Sequence, residues 1–132
     1  MKVVFDTNIY ISAFVISGSL AEKAILKILK ENHTLFISKE IIDEILSVLA
    51  RKFCYDREFL SRTAVFLSEI AEIVHTTEKI DILKDKGDNK IIECAMAAKA
   101  DVIVTGDKEL LSLANYENIR IITLRDFLKS LP

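Results

Sequence analysis

Short apolar runs alternate along this chain with longer segments whose apolar residues recur at helical spacing. Residues 2–6 form a β-rich run with apolar side chains on both faces, the pattern of a strand covered on both sides. Residues 8–15 fit a helix that Ser17-Gly18-Ser19 breaks. Residues 20–31 place Ala21, Ala24, Ile25, Ile28 and Leu29 on one helical face. A second strand at 35–37 stops at Ser38, a good N-cap for a helix that presents Ile41, Ile42, Ile45, Leu46 and Leu49. Residues 56–72 predict a further helix and 73–75 a strand, before a polar stretch at 76–87. A largely apolar helix from about 89 to 99 follows, then a strand at 102–104, a helix at 108–114, a strand at 120–122 and a closing helix at 124–131.

Strands separated by helices imply an α/β fold, a three-layer α/β/α sandwich around a central parallel sheet. No repeat or linker interrupts the pattern, so residues 1–132 make one domain, long enough to bury a core. In such folds ligands bind beyond the carboxyl ends of the strands, at the point where strand order reverses. A net charge of −2 excludes a uniformly basic surface, so nucleic acid would need local patches. Cys54 and Cys94 stand far apart, outside metal-ligand spacing, which suits reduced thiols. No apolar run approaches the roughly 20 residues of a membrane span, and the start of the chain is strand-like rather than signal-like. The expectation is a cytoplasmic protein without a membrane partner.

Acidic residues punctuate this pattern. Asp6 ends the first strand, Asp107 closes Val104-Thr105-Gly106-Asp107 after a later one, and Asp88 precedes the apolar helix. Each suits a helix cap when taken alone. Glu44 lies inside a helix, flanking its apolar face beside Ile41 and Val48; Asp43 and Glu40 lie further round and look solvated. Asp85 is near enough to Asp88 to join the same anionic surface, whereas Glu93 is expected at the exposed edge of its helix. Carboxylates gathered in one crevice oppose one another's ionisation. The usual remedy is a divalent cation held by oxygen ligands. Repeated acids at strand ends, with one helical Glu, are therefore better explained by a shared cation than by unrelated caps.

In their order and spacing these motifs resemble the PIN domain family, and within it the toxin component of VapBC-like toxin–antitoxin pairs. The likeness covers essentially the whole chain. Val4-Phe5-Asp6-Thr7-Asn8 is similar to the family's first motif, with Asp6 a metal ligand and Asn8 its supporting polar partner. Glu44 matches the second acid; Asp88, followed by Asn89, Ile91, Glu93 and Ala95, matches the third. Thr105-Gly106-Asp107 resembles the fourth, with Thr105 in support. Many relatives carry an Asp-Pro-x-Asp pattern where this chain has Asp85-Lys86-Gly87-Asp88, a departure that should loosen the loop without removing a ligand. The resemblance implies a Mg²⁺- or Mn²⁺-dependent ribonuclease, usually a homodimer, inhibited by a cognate antitoxin protein.

The chemistry agrees with that implication. Phosphodiester cleavage needs an activated water and neutralised phosphate charge, which Mg²⁺ held by Asp6, Asp88, Asp107 and Glu44 could provide. Lys39, Arg51, Lys52, Lys86, Lys90 and Lys108 are the candidates for contacting RNA phosphates, single strands fitting a narrow acidic cleft better than a duplex. Two rival readings remain. One is an RNA-binding or dimerisation module with a degenerate site, against which the presence of all four acids argues. The other is an aspartyl-phosphate phosphatase or receiver, which would want a second acid where Asn8 stands, or paired acids after the first strand and a late lysine.

Overall fold

The computed structural model describes residues 1–129. Its elements run in the order β1 (Lys2–Phe5), α1 (Thr7–Val15), α2 (Leu20–Lys30), β2 (Thr34–Ser38), α3 (Lys39–Phe53), α4 (Arg57–Ile70) and β3 (Ala71–Val74). Then come α5 (Lys86–Ala98), β4 (Val102–Val104), α6 (Lys108–Ser112), β5 (Asn115–Tyr116), β6 (Ile119–Ile122) and α7 (Leu124–Lys129). The sheet order is β3-β2-β1-β4-β6-β5, with every pairing parallel except β5 on β6. The architecture is the expected α/β/α one.

The local reasons are those the pattern suggested. Val3, Val4 and Phe5 are wholly buried in β1, as are Val102, Ile103 and Val104 in β4, which pairs with it in the register Val3↔Val102 and Phe5↔Val104. Ser38 caps α3 by accepting from the Ile41 amide, and Ser19 caps α2 by accepting from Glu22. Helix α5 packs across β1, β2 and β4, which is why Ile91, Ile92, Cys94 and Ala95 are all buried. Both cysteines are free, Cys54 exposed and Cys94 buried.

Several expectations shift. Helix α5 begins at Lys86 rather than near 89, and its N-cap is Asp85, whose Oδ1 accepts from the Gly87 and Asp88 amides. Asp88 is thus inside the first turn and is not a cap. The helix expected at 56–72 ends at Ile70, because Ala71 and Glu72 pair with Leu35 and Phe36 in β3. The sheet is not purely parallel: the short β5, which the sequence pattern missed, turns back antiparallel on the edge. The closing helix is expected to run to 131, and residues 130–131 lie outside the described residues. Among the described residues no single helix is long and apolar enough to cross a membrane.

Candidate active site

Strand order reverses between β1 and β4, since the chain leaves β1 toward β2 and β3 and later returns to its other side. Asp6 and Asp107 stand at the carboxyl ends of these two strands. The Asp6 amide donates to the Val104 carbonyl at 3.0 Å, extending the ladder just past the strands. Thr105, fully buried, joins the two acids: its hydroxyl donates to Asp6 Oδ2 at 2.6 Å and accepts from the Asp107 amide at 3.0 Å.

Asp6 precedes α1, yet its side chain makes no capping hydrogen bond; the Thr7 and Asn8 amides lie close enough only to favour its charged form. Burial pushes its carboxyl above the usual range and Asp107 adds to this, against the opposing hydrogen bond from Thr105. Asp107 does cap α6, through Oδ1, which accepts from Glu109 at 2.9 Å and Leu110 at 3.1 Å. Capping and membership of the acidic site are therefore not alternatives for this residue.

Asp88 is the most perturbed acid. It is 7% exposed, and its Oδ2 is buried without a hydrogen-bond partner. Burial first, then the charges of Asp107, Asp85 and Asp6, hold its carboxyl up at about 7. As a carboxylate Asp88 offers Asp107 only repulsion; carrying a proton, it can share a hydrogen bond with that residue.

Glu44 enters from α3 on the exposed surface, and its carboxylate lies over Gly87. A Cβ on Gly87 would sit 3.2 Å from Glu44 Oε2 and 3.0 Å from Asp85 Oδ1, so the missing side chain lets two acids converge. Partial burial raises the Glu44 carboxyl, reinforced by Asp6 and Asp85 and opposed by Arg51. The four predicted acids thus come into one electrostatically coupled group, and Asp85 joins them.

Other predicted residues fall elsewhere. Asn8 is exposed and its side chain hydrogen-bonds none of the acids; it faces a depression shared with Ser12, Leu20 and Gly106. Lys39, Arg51, Lys52, Lys86 and Lys108 are exposed, whereas Lys90 is held at 3.2 Å by Glu93. Glu93 itself is a correction: it is 4% exposed, not at an open edge, because Oε2 accepts from the buried Ile80 amide at 3.1 Å. Asn89, one residue after Asp88, is also buried. The burial of Glu93 carries no sequence signal of its own, since its partner across the loop is a backbone amide.

The donor set is all oxygen, which suits a hard divalent cation. Among the described residues no three acidic, His or Cys side chains already stand at metal-holding spacing. The unpartnered Asp88 Oδ2, with the charges of Asp107, Asp85 and Asp6 acting on it, fits residues that would hold such a cation.

Fold and site together define an α/β domain with an acidic centre at its topological switch point. Residues 2–109 match the PIN domain family, and the chain belongs to it. Its relatives include an uncharacterized protein of Methanocaldococcus jannaschii, MJ1680, 32% identical over 117 residues, covering 86% of this chain and 75% of that protein. Its fold is similar to that in the crystal structure of VapBC2 from Rickettsia felis bound to a DNA fragment from their promoter. The TM-score is 0.67 at 20% identity, over 93% of this chain and 98% of that one.

Proposed function

We propose that this protein is a metal-dependent endoribonuclease, the toxin of a toxin–antitoxin pair, which hydrolyses phosphodiester bonds in RNA. The observation that carries this reading is the gathering of Asp6, Asp88 and Asp107, with Glu44, at the point where strand order reverses, Asp88 being buried with its Oδ2 unpartnered. Such an arrangement is costly without a cation and useful with one. Asp6, Asp88 and Asp107 would hold Mg²⁺ or Mn²⁺, with Glu44 binding directly or through water. When bound, such an ion supplies water activation and positive charge toward the phosphate.

The chain's own residues do the rest. Thr105 fixes the orientation of Asp6 and ties it to the Asp107 backbone. Glu44, with its carboxyl raised and its side chain exposed, suits the removal of a proton from the attacking water. Lys86 beside Gly87, Lys108 beside Asp107, Lys39 at the start of α3 and the exposed Arg51 and Lys52 supply positive charge for RNA phosphates. The antitoxin partner rests on family membership and on the likeness to VapBC2. A homodimer in the cytoplasm completes the proposal; its support is the surplus of exposed apolar side chains on α2 and α4, Leu26, Leu29, Val65 and Phe66 among them.

Purified protein is expected to cleave single-stranded RNA with Mg²⁺ or Mn²⁺ and to stop in EDTA. Asp6→Asn, Asp88→Asn and Asp107→Asn should each lose cleavage by roughly 100-fold or more while remaining folded. Undiminished cleavage by Asp6→Asn, in a preparation free of contaminating nuclease, would overturn the reading.

A further inference from the structure

Between β3 and α5 the chain crosses residues 75–85 without helix or strand, then delivers Asp85, Gly87 and Asp88 to the acidic site. Lacking its own ladder, this strap is tied to α5 by two buried polar side chains. Asn89 Oδ1 accepts from the Ile82 amide at 3.2 Å and the Leu83 amide at 3.0 Å, while its Nδ2 donates to the Leu83 carbonyl at 2.8 Å. One turn on, Glu93 Oε2 accepts from the Ile80 amide at 3.1 Å, while its Oε1 accepts from Lys90 at 3.2 Å. Asn89 and Glu93 are each 4% exposed, so water cannot readily replace them at these backbone groups.

Two residues beyond the clamped Leu83 comes Asp85, whose Oδ1 caps α5 at Gly87 and Asp88 and, like the Glu44 carboxylate, stands beside the open Cα of Gly87. Fixing the strap therefore fixes where the α5 acids stand relative to the helix that presents Glu44. We infer that Asn89 is a positioning residue of the active site: by clamping residues 82–83 onto α5 it sets Asp85, and through it Asp88, in the geometry that receives the cation. Glu93 is the second anchor of the same clamp. No rigid residue is needed in Asp85-Lys86-Gly87-Asp88, because side chains of the following helix do the holding. This role deepens the metal-dependent reading of the site and rests on it for its consequence.

The test compares full-length wild type, Asn89→Ala, Asn89→Asp and a core control remote from the strap, Ile28→Val, at a temperature where all are folded. Amide hydrogen exchange is read in EDTA. In Asn89→Ala, exchange should rise at Ile82 and Leu83 and also at Gly87 and Asp88, where only the Asp85 cap is at stake. Asn89→Asp, which keeps the acceptor, should retain protection at Ile82 and Leu83. Mn²⁺ titration should then show an affinity roughly tenfold weaker in Asn89→Ala, within the range for residues that orient metal ligands, and unchanged in Ile28→Val. Faster exchange confined to Ile82 and Leu83, or Mn²⁺ affinity in Asn89→Ala equal to that of wild type, would overturn the positioning role. A wild type that binds no Mn²⁺ would instead overturn the metal-dependent function, leaving the exchange at Gly87 and Asp88 to decide whether Asn89 sets Asp85.

Discussion

Asp88 shows how a single carboxyl links stability to function. Its proton is held up to about pH 7 in the native site but leaves near the ordinary value of 3.8 once the chain unfolds. Between those values the native state binds more protons, so this contribution to stability is full below 3.8 and is lost as pH rises through about 7. In EDTA the wild-type Tm should fall from pH 5 to pH 8, and Asp88→Asn should flatten that fall. Excess Mg²⁺ should raise the wild-type Tm at pH 8 and raise that of Asp88→Asn much less. Equal Mg²⁺ shifts in the two proteins would show that Asp88 does not bind the ion. Thr105→Val is a second probe at this scale. It leaves the buried Asp6 without its 2.6 Å donor, and the expected loss of stability is about 1–3 kcal/mol by chemical denaturation.

At the scale of elements, capping and acidity overlap in α5 and α6. Asp85 and Asp107 each satisfy two amides of a first turn. Asp107→Ala should therefore cost about 0.5–2 kcal/mol even in EDTA, while Asp107→Asn, which keeps an acceptor, should cost little and lose only the Mg²⁺-induced shift. Comparing the two melts separates the capping role from the charge. At its other end α5 closes on Lys99 with φ of +53°, a left-handed conformation that favours glycine. Lys99→Gly relieves about 1–2 kcal/mol of strain and gives part of it back to unfolded-chain entropy. A net gain of about 0.5–1 kcal/mol should appear in denaturant unfolding, with the Mg²⁺ response unchanged.

Over the whole molecule, the core is continuous from β3 to β6, yet apolar surface remains outside it. A groove of about 320 Å³ lies between α1, α2 and α4, lined by Phe14, Ile25, Leu26, Leu29 and Phe66. Leu29 is 51% and Val65 56% exposed, so the apolar faces of α2 and α4 exceed what the sheet covers. Light scattering at micromolar concentration should give the mass of a homodimer, and a monomer would count against that part of the proposal.

Strand and helix order was legible in the chain because burial on one or two faces writes a period into the sequence: Val3-Val4-Phe5 and Val102-Ile103-Val104 for covered strands, and the spaced apolar residues of α2 and α3 for helices. Asp6 and Asp107 were legible as acids at strand ends, Asp88 as an acid at the start of an apolar helix and Glu44 as one flanking a helical apolar face, and the fold brings them together. Helix α4 was overextended because Ala71 and Glu72 suit either state, and pairing with β2 decided for a strand. Glu93 departs from its expected place because a charge on an apolar helix is ordinarily at an edge, whereas here the Ile80 amide on the strap and the Lys90 ammonium together make its burial tolerable. The cap at Asp85, the bridge from Thr105 to Asp6 and the clamp at Asn89 likewise depend on backbone groups placed by distant segments. Periodicity reports which face of an element is covered; it carries nothing about which amide or carbonyl will stand opposite a polar side chain, and that is settled when the layers pack.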